Sequence, residues 1–321
     1  MSKDFLSIII PTADRHEYLQ GTISNLLDEI ERTGKKIKII VVDNASKPPI
    51  EMLMLGEKAR DSGLVSIKRF ENRVEVGESI MRSSMLAESD FVWVFGDDDM
   101  IVDGGMGLIL DVLEEERPDY VYVNRYIATN DMGRVLRTEH DVTVPFLQKF
   151  KGVEAVRRFT HHPGFITSLV VRKGLFNYSQ KKLDNLFPGY GFLAALYVNT
   201  LDGKVCYISV PLVVQRKSLT LWRRSWPYYW LVSVPSLFKW LDGVGAKGAY
   251  ESVCREVTSL PAVLYTATLA KASGTRSCDD FWNAAAKYQK ALGKVSLYVI
   301  RFFLPSFLAK PLIRIGARLK G

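Results

Sequence analysis

The sequence has 321 residues, of which 47% are hydrophobic and 24% are charged. This length and composition suit one large α/β domain with a smaller appendage, and they exclude wholesale disorder. The three cysteines, Cys206, Cys254 and Cys278, are too few and scattered for a disulfide framework, and their spacing does not indicate zinc. We see neither a secretory leader nor an uninterrupted apolar run of about 18 residues. The sequence therefore predicts a cytoplasmic protein without a spanning helix.

The first 125 residues alternate strand and helix patterns, and Gly34 stops the first helix. Short apolar, β-branched runs predict strands at 5–10, 37–42, 65–70, 91–95 and 119–124. Apolar residues at helical spacing predict helices at 17–30, 51–61, 78–88 and 104–116. This rhythm implies right-handed crossovers and a mostly parallel sheet flanked by helices. Residues 125–215 are less regular, with strands predicted at 166–171 and 205–214 and an apolar segment at 192–198.

Three polar clusters follow the predicted strands, at 12–15, at Asp43-Asn44 and at Asp97–Asp99. Ligands of parallel sheets bind outside the carboxyl ends of the strands, so we expect these clusters to converge. Three adjacent carboxylates repel one another unless a cation compensates them, and Mg²⁺ or Mn²⁺ prefers such oxygens. The alternative is a solvated turn or a helix cap. Asp43 and Asn44 could equally be turn formers or ligands of a base or ribose.

These segments together resemble the family-2 glycosyltransferases of the GT-A fold. The resemblance rests on Phe-Leu-Ser-Ile-Ile-Ile-Pro-Thr (5–12), Val-Val-Asp-Asn-Ala-Ser (41–46), the Asn72–Gly77 segment and Trp-Val-Phe-Gly-Asp-Asp-Asp (93–99). It is nearest to bacterial members that build O-antigen or other surface polysaccharide, including abequosyltransferase-like proteins with a Gly-Asp-Asp-Asp ending. The resemblance covers roughly residues 5–215. The motifs in this order are specific for the family, whereas any one of them alone is not.

The resemblance implies a nucleotide-sugar donor and a divalent metal, Mn²⁺ or Mg²⁺. Metal ligation falls on Asp98 and Asp99, because aligning the common Asp-x-Asp-Asp pattern puts Gly96 at its first aspartate. The other alignment makes Asp97-x-Asp99 the motif. Asp43 would read the base, and Arg73 would approach the base or the phosphates. The full set of residues implied to bind the donor is Pro11, Thr12, Asp14, Arg15, Asp43, Asn44, Arg73, Asp97 and Arg216.

The family pattern does not identify the catalytic base of this chain. Many members carry a Glu-Asp pair about ninety residues after the aspartates, and Asp184 is the acidic residue in that window, without a preceding glutamate. His161 and His162, in a loop before a strand, are rival bases, since a histidine near neutral pKa can deprotonate a hydroxyl. Paired loop histidines can also be merely exposed. Arg216 and its neighbours Arg223 and Arg224 only echo the Gln-x-x-Arg-Trp motif of processive synthases, which favours transfer of one sugar. They could offset the charge of the leaving diphosphate.

The charge of the chain is divided between its two parts. Residues 1–150 carry 18 Lys and Arg against 27 Asp and Glu, whereas the remainder carries 25 against 8, and no acidic residue follows Asp280. Aromatic residues crowd the segment 222–240, and 295–320 mixes apolar and basic residues. This pattern predicts helices lying on a membrane surface. A helical subdomain packed on the catalytic domain, or forming a homo-oligomer, is the alternative. Nucleic acid is disfavoured as a partner, because apolar residues outnumber those that would contact phosphates.

The sequence therefore predicts a GT-A catalytic domain at 1–215, with a nucleotide-sugar half to about 125 and an acceptor half beyond it, followed by a basic membrane-associating region at 216–321. The predicted activity is inverting transfer of a single sugar to a glycan or lipid-linked saccharide at the inner face of the plasma membrane. A nucleotidyltransferase is a second hypothesis, although 11–15 is not a Gly-rich basic loop. A non-catalytic scaffold is a third.

Overall fold

The computed structural model describes residues 4–177, 183, 185–217, 225–272, 279–304 and 308–309. Its first half is a parallel sheet with helical crossovers. The strands are β1 (Leu6–Thr12), β2 (Lys38–Asp43), β3 (Val65–Arg69) and β4 (Phe91–Val94), in the order β3-β2-β1-β4. The crossovers contain helices α1 (His16–Thr33), α2 (Glu57–Asp61) and α3 (Val76–Ser84). This half confirms the predicted rhythm of strands and helices.

The second half continues the same sheet with both strand directions. After β4 the order is β9-β6-β10-β5, with β7 beside β6 and β8 beside β10. β6 and β10 pair in parallel, while β9 runs antiparallel to both β4 and β6. The strands are β5 (Met100–Ile101), β6 (Tyr120–Ala128), β7 (Val135–Thr138), β8 (Leu147–Lys151), β9 (Leu169–Arg172) and β10 (Lys204–Arg216). The helices here are α4 (Gly105–Glu116), α5 (Gly152–Phe159) and α6 (Gly191–Asn199).

Two predicted elements differ from the structure in detail. The helix predicted at 51–61 is a 3₁₀ turn (Met52–Leu55) followed by α2, because Gly56 lies between them with φ +87°. A residue in that conformation ends one helical segment before the next begins. The strand predicted at 166–171 begins only at Leu169, since 166–168 form a 3₁₀ turn.

The sheet is covered by apolar packing on both faces. In β1, the alternate residues Leu6, Ile8 and Ile10 belong to one buried cluster with α1 and α4, whereas Ile9 belongs to the other. This alternation follows from the two-residue period of a strand, and burial of both faces explains why Ile8, Ile9 and Ile10 are apolar in succession. The sheet is therefore a buried central layer whose polar ends are free to form a site.

The C-terminal region packs a set of helices against the face that contains Ile9. These helices are α7 (Trp226–Tyr228), α8 (Val234–Gly243), α9 (Ala249–Val257), α10 (Leu260–Ala272), α11 (Asp279–Lys287) and α12 (Ala291–Phe303), with a π-helical turn between α7 and α8. Within the described residues, no helix is both long and apolar enough to cross a bilayer.

The aromatic residues of this region correct part of the sequence interpretation. Tyr229 and Trp230 are buried, and Trp226, Tyr228 and Trp240 are partly buried against the same cluster. The sequence predicts these rings at a membrane surface. That prediction is wrong for Tyr229 and Trp230, which are buried in the core, and it stays a prediction for the three half-buried rings. Trp222, which was grouped with them, lies outside the described residues.

Candidate active site

Three polar segments meet where parallel strands end. Thr12 ends β1, Asp43 ends β2, and the two are direct neighbours in the register of the sheet. β4 pairs with the other side of β1 and stops just before Phe95, after which the chain reaches Asp97–Asp99. Arg15 follows β1 by three residues and contacts the aspartates. The sheet therefore brings together these sequence-predicted residues at one edge, as the geometry of parallel strands requires.

Asp97 and Asp98 share one guanidinium group. Arg15 Nη1 lies 3.0 Å from Asp97 Oδ1, and Arg15 Nη2 contacts Asp98 Oδ2. Thr12 Oγ1 donates a 2.7 Å hydrogen bond to Asp97 Oδ2. Burial raises the pKa of Asp97 to about 6, although the charge of Arg15 opposes the rise. Asp98 Oδ1 has no hydrogen bond or ion pair with the described residues, so it is the carboxylate oxygen of this pair that is open to a ligand.

Asp99 is held by protein groups on both of its oxygens. Its Oδ1 accepts a 3.2 Å hydrogen bond from the backbone N–H of Arg216, and its Oδ2 accepts one from the Thr167 hydroxyl. Burial raises the pKa of Asp99 above its ordinary value, and the neighbouring charge of Asp98 acts in the same direction. Because both oxygens are engaged, Asp99 has less capacity for a cation than Asp98.

Gly96 occupies the position where the common family pattern has an aspartate. A Cβ at residue 96 would overlap Asp99 Oδ2 and would lie 3.0 Å from Thr167 Oγ1. The Gly96 N–H also donates a 2.9 Å hydrogen bond to Thr167 Oγ1. The departure from the common pattern therefore has a steric reason: the Thr167–Asp99 pair fills the space that a side chain would need.

A second arginine borders the aspartates. Arg216 Nε donates a 2.9 Å hydrogen bond to the backbone oxygen of Asp98, and its Nη1 donates to Asn130 O. The guanidinium carbons of Arg216 and Arg15 lie 4.8 Å and 5.3 Å from the centroid of the Tyr18 ring. The sequence predicted both arginines here. It gave no signal for Tyr18, because one tyrosine in an amphipathic helix is unremarkable.

Asp43 organises the loop that follows β2. Its side chain is fully buried, with Oδ1 accepting a 2.8 Å hydrogen bond from Ser46 N–H and Oδ2 accepting from Ile50 N–H and Arg69. Burial alone would raise the pKa of Asp43, but the bonds from Ser46 and Ile50 and the charge of Arg69 outweigh it, so the pKa is lowered. The carboxylate is thus ionised and committed to the loop.

Asn44, Asp14 and Arg73 connect the neighbouring loops. Asn44 exchanges two 2.9 Å hydrogen bonds with the backbone of Val74. Asp14 accepts a 2.8 Å hydrogen bond from Lys47 N–H and pairs with Arg73. Arg73 is thereby brought to the edge that the sequence predicted for it, in a half-exposed ion pair.

His161 and His162 lie between α5 and β9 in different surroundings. His162 Nδ1 is 2.8 Å from Glu139 Oε1. His161 Nδ1 is 3.7 Å from Glu256 Oε2, and its ring packs edge-on against Trp230. Burial lowers the pKa of His161 well below its ordinary value, and the nearby His162 adds to the effect. Ligand atoms of His161, His162 and Glu256 lie within 4.8 Å of one another, a donor set of the kind that zinc uses.

Two predicted groups lie outside the described residues, and two further residues were not predicted. Asp184, Arg223 and Arg224 are outside the part of the chain that the structure describes. Glu139 and Thr167 contact predicted site residues but belong to no motif. Only the fold could identify them, because their partners are 23 and 68 positions away in sequence.

The comparisons with known proteins agree with this geometry. The glycosyl transferase family 2 profile matches residues 7–177, which is more than half of the chain and includes β1, the loop after β2 and the aspartates. The chain therefore belongs to glycosyl transferase family 2, a family of enzymes that transfer sugars. The family and the GT-A-type fold that the sequence predicted are both confirmed.

Individual proteins of known function or structure are similar to this chain. It is 25% identical over 226 residues to the abequosyltransferase RfbV of Salmonella typhimurium (strain LT2), and the match spans 66% of each protein. Among solved structures it is similar to S. aureus TarS 1–349 in complex with UDP-GlcNAc, with a TM-score of 0.53, 14% identity, and 98% and 92% of the two chains covered. For the same fragment with UDP the values are 0.51, 13%, 99% and 92%. These structural likenesses establish a shared fold.

Proposed function

We propose that this protein transfers a single sugar from a nucleotide-diphosphate sugar to a glycan acceptor in surface-polysaccharide or O-antigen synthesis. The observation that carries the proposal is the cluster of Asp97, Asp98 and Asp99 with Arg15 and Arg216 at the carboxyl ends of the strands. The names of the relatives support it, since RfbV is an abequosyltransferase and the TarS fragment was crystallised with UDP-GlcNAc.

The residues present fit a divalent cation. Arg15 pairs with Asp97 and Asp98, and Arg216 borders the cluster, so three carboxylates outnumber two guanidinium groups. Asp98 Oδ1 has no partner among the described residues. Carboxylate oxygen is the donor that Mn²⁺ and Mg²⁺ prefer. We assign the ligand role to Asp98 first, and the role of Asp99 as a second ligand stays a prediction because both its oxygens are bonded within the protein. When bound, the cation would neutralise charge on the diphosphate.

Protein groups around the aspartates complement the nucleotide-sugar donor. Arg15 Nε is buried and has no hydrogen-bond acceptor in the described part of the chain. An unpaired buried donor is costly, so an oxygen of the ribose or diphosphate is the natural partner. Arg216 also lies against the Tyr18 ring and adds positive charge for the leaving group. Pro11 and Thr12 border the same edge at the end of β1.

The loops after β1 and β2 set the position of the nucleobase of the donor. Asp43 is buried and both of its carboxylate oxygens are engaged. In this proposal Asp43 therefore holds the loop from Asn44 onward, and the nucleobase contacts that loop. Asp14 and Arg73 close the loop from the solvent side. Transfer then proceeds by attack of an acceptor oxygen on the anomeric carbon, with inversion, as the oxygen of the diphosphate leaves.

A thermal-shift screen tests the donor assignment. UDP-, GDP-, CDP- and dTDP-sugars are added to the whole protein with and without Mn²⁺. We expect one nucleotide class to raise the melting temperature by several degrees, and Mn²⁺ to enlarge that shift, because ligands of the native state stabilise it by mass action. Free sugars without the nucleotide serve as the control. If no nucleotide shifts the melting temperature, the proposed function is wrong.

We also propose that the acceptor is lipid-linked and that α12 rests on an anionic membrane surface. This 13-residue helix exposes an apolar face although its other side packs on α10. Lys294 and Arg301 lie on the same helix, and after Asp280 the sequence has eight Lys and Arg and no acidic residue. An apolar face with basic flanks complements anionic headgroups. The large side chains that are exposed are Leu292, Val295, Tyr298, Val299, Phe302 and Phe303.

Co-sedimentation with phosphatidylglycerol-containing vesicles tests this surface. We expect the double variant Leu292→Ser/Phe303→Ser to bind such vesicles on the order of tenfold more weakly, since both side chains are 71% exposed and would lose their burial in the interface. Leu53→Ser, which changes a 70% exposed leucine in the nucleotide half, should bind like the wild type. Unchanged binding by the double variant, or a dimer that the same variant dissociates, would contradict a membrane role.

A further inference from the structure

A buried carboxylate is paired with an imidazole of the loop between α5 and β9. Glu139 Oε1 lies 2.8 Å from His162 Nδ1, and the Glu139 side chain is 8% exposed while that of His162 is 21% exposed. On the basis of the proposed sugar transfer, we infer that His162 is the base that deprotonates the acceptor hydroxyl and that Glu139 positions it. This assignment replaces the Glu-Asp pair that the family pattern would supply, and it brings in a residue that no motif contains.

Glu139 is fixed in its ionised form by its surroundings. Its Oε2 lies 3.4 Å from Arg125 Nη2 and 3.1 Å from Arg137 Nη1. Burial would raise the pKa of Glu139, but the hydrogen bond from His162 and the charge of Arg125 outweigh it, and the pKa falls to about 2. A carboxylate held in this way accepts the Nδ1 proton of His162, which leaves Nε2 as a proton acceptor.

The other two histidines of the cluster are less suited to this role. His161 Nδ1 is directed at Thr160 Oγ1 and Glu256, and the ring is packed against Trp230. His140 Nε2 is 2.8 Å from Tyr122 Oη, and burial lowers the pKa of His140 to about 4. His162 Nε2, in contrast, has no hydrogen bond to the described residues. The side chain of His162 is also more exposed than that of His161.

Short contacts connect the pair to the aspartates. Arg125, which touches Glu139, donates a 2.9 Å hydrogen bond from Nε to Gln215, the residue before Arg216. The chain after His162 passes Phe165, whose ring lies 4.5 Å from the Arg125 guanidinium carbon, and reaches Thr167 on Asp99. The base and the aspartates are therefore connected by two short chains of contacts, one through Arg125 and Gln215 and the other through the segment from His162 to Thr167.

The proton balance of the step is simple. As the acceptor oxygen forms its bond to the anomeric carbon, its proton passes to His162 Nε2, and the bond from that carbon to the phosphate oxygen breaks. The nucleoside diphosphate leaves with the electron pair, and the imidazolium later returns its proton to water. Charged or titratable groups that face His162 are Arg125 of β6, Glu139 and His140 of the segment after β7, His161, and Glu256 of α9.

Variants of the pair test the inference in a steady-state transfer assay. We expect His162→Ala to lower kcat by about 10²–10⁴, to remove the acidic limb of its pH profile, and to regain activity with added imidazole. Glu139→Gln should lower kcat and move that limb to lower pH, because an amide stabilises the protonated ring less than a carboxylate does. Asp141→Asn, which changes an exposed carboxylate two residues after Glu139 that is hydrogen-bonded to Thr143, should retain the wild-type profile.

Donor binding separates this inference from the proposed function. His162→Ala should keep the thermal shift with nucleotide sugar and Mn²⁺, because the base does not touch the donor. A wild-type protein that shows neither donor binding nor transfer overturns the function itself. Transfer by His162→Ala within about threefold of wild type, with an unchanged pH profile, overturns only the base. Tight zinc binding that is lost in both His162→Ala and Glu256→Gln would also overturn it, since the ring would then be a metal ligand.

Discussion

Asp98→Asn is expected to lower kcat/KM for sugar transfer by about a thousandfold while the protein remains folded. The amide keeps the size of the side chain, but it removes the charge next to the open Oδ1 position, so the cation and the diphosphate lose a ligand. The loss should be measured at saturating Mn²⁺, together with Mn²⁺ affinity by calorimetry in the presence of the nucleotide.

Asp103→Asn is the matched control for this experiment. Asp103 lies four residues beyond Asp99, its side chain is 87% exposed, and its ion pair is with Arg32 rather than with the site. We expect wild-type activity and metal affinity from this variant. If Asp98→Asn retained activity within about tenfold while Asp97→Asn or Asp99→Asn lost it, the ligand role would move to that neighbour.

The nucleotide half of the fold could be predicted well because its signals are local. The apolar run before Pro11 and the amphipathic spacing that Gly34 ends correspond to β1 and α1, and Gly34 adopts the left-handed conformation expected of a helix stop. Parallel strands in such a rhythm then leave few topologies open. The convergence of Thr12, Asp43 and the aspartates followed from that topology.

The acceptor half could not be predicted in the same way. β9 inserts antiparallel between β4 and β6, and its sequence, Leu169–Arg172, has no feature that selects those partners. Glu139 and His162 come from separate loops, 23 positions apart in sequence, and meet only in the folded chain. Pairings between distant segments depend on tertiary packing, so the sequence leaves the catalytic base open among Asp184, His161 and His162.

The basic, aromatic C-terminal third shows why composition alone misled. Tyr229 and Trp230 are as suitable for a helix–sheet interface as for a headgroup layer, because both surroundings accept an apolar ring with a polar end. The low exposure of Tyr229 and Trp230 shows that both rings lie in the core rather than at the surface. Within the described residues, the exposed apolar face of α12 is what remains for a membrane, and most of the predicted segment after residue 304 lies outside them.

Arg15→Met is expected to destabilise the metal-free protein by about 3–5 kcal/mol, because it leaves Asp97 and Asp98 buried without their counter-charge. The Arg15 side chain is only 15% exposed, so water screens the remaining carboxylates poorly. Urea unfolding gives the loss as a shift of the midpoint at constant slope. Mn²⁺ should raise the midpoint of the variant more than that of the wild type, since the cation would replace the missing positive charge.

Arg73→Met provides the comparison that isolates the effect of burial. Arg73 also pairs with an aspartate, Asp14, but the two side chains are 45% and 43% exposed, and we expect a loss of at most about 1 kcal/mol. A loss in Arg15→Met no greater than that in Arg73→Met would mean that Asp97 and Asp98 need no compensating charge. The excess of negative charge that supports a cation at Asp98 would then lose its physical basis. If Arg15→Met instead loses much more stability than Arg73→Met, and Mn²⁺ restores it selectively, the carboxylates proposed to bind the cation also determine the stability of this part of the fold.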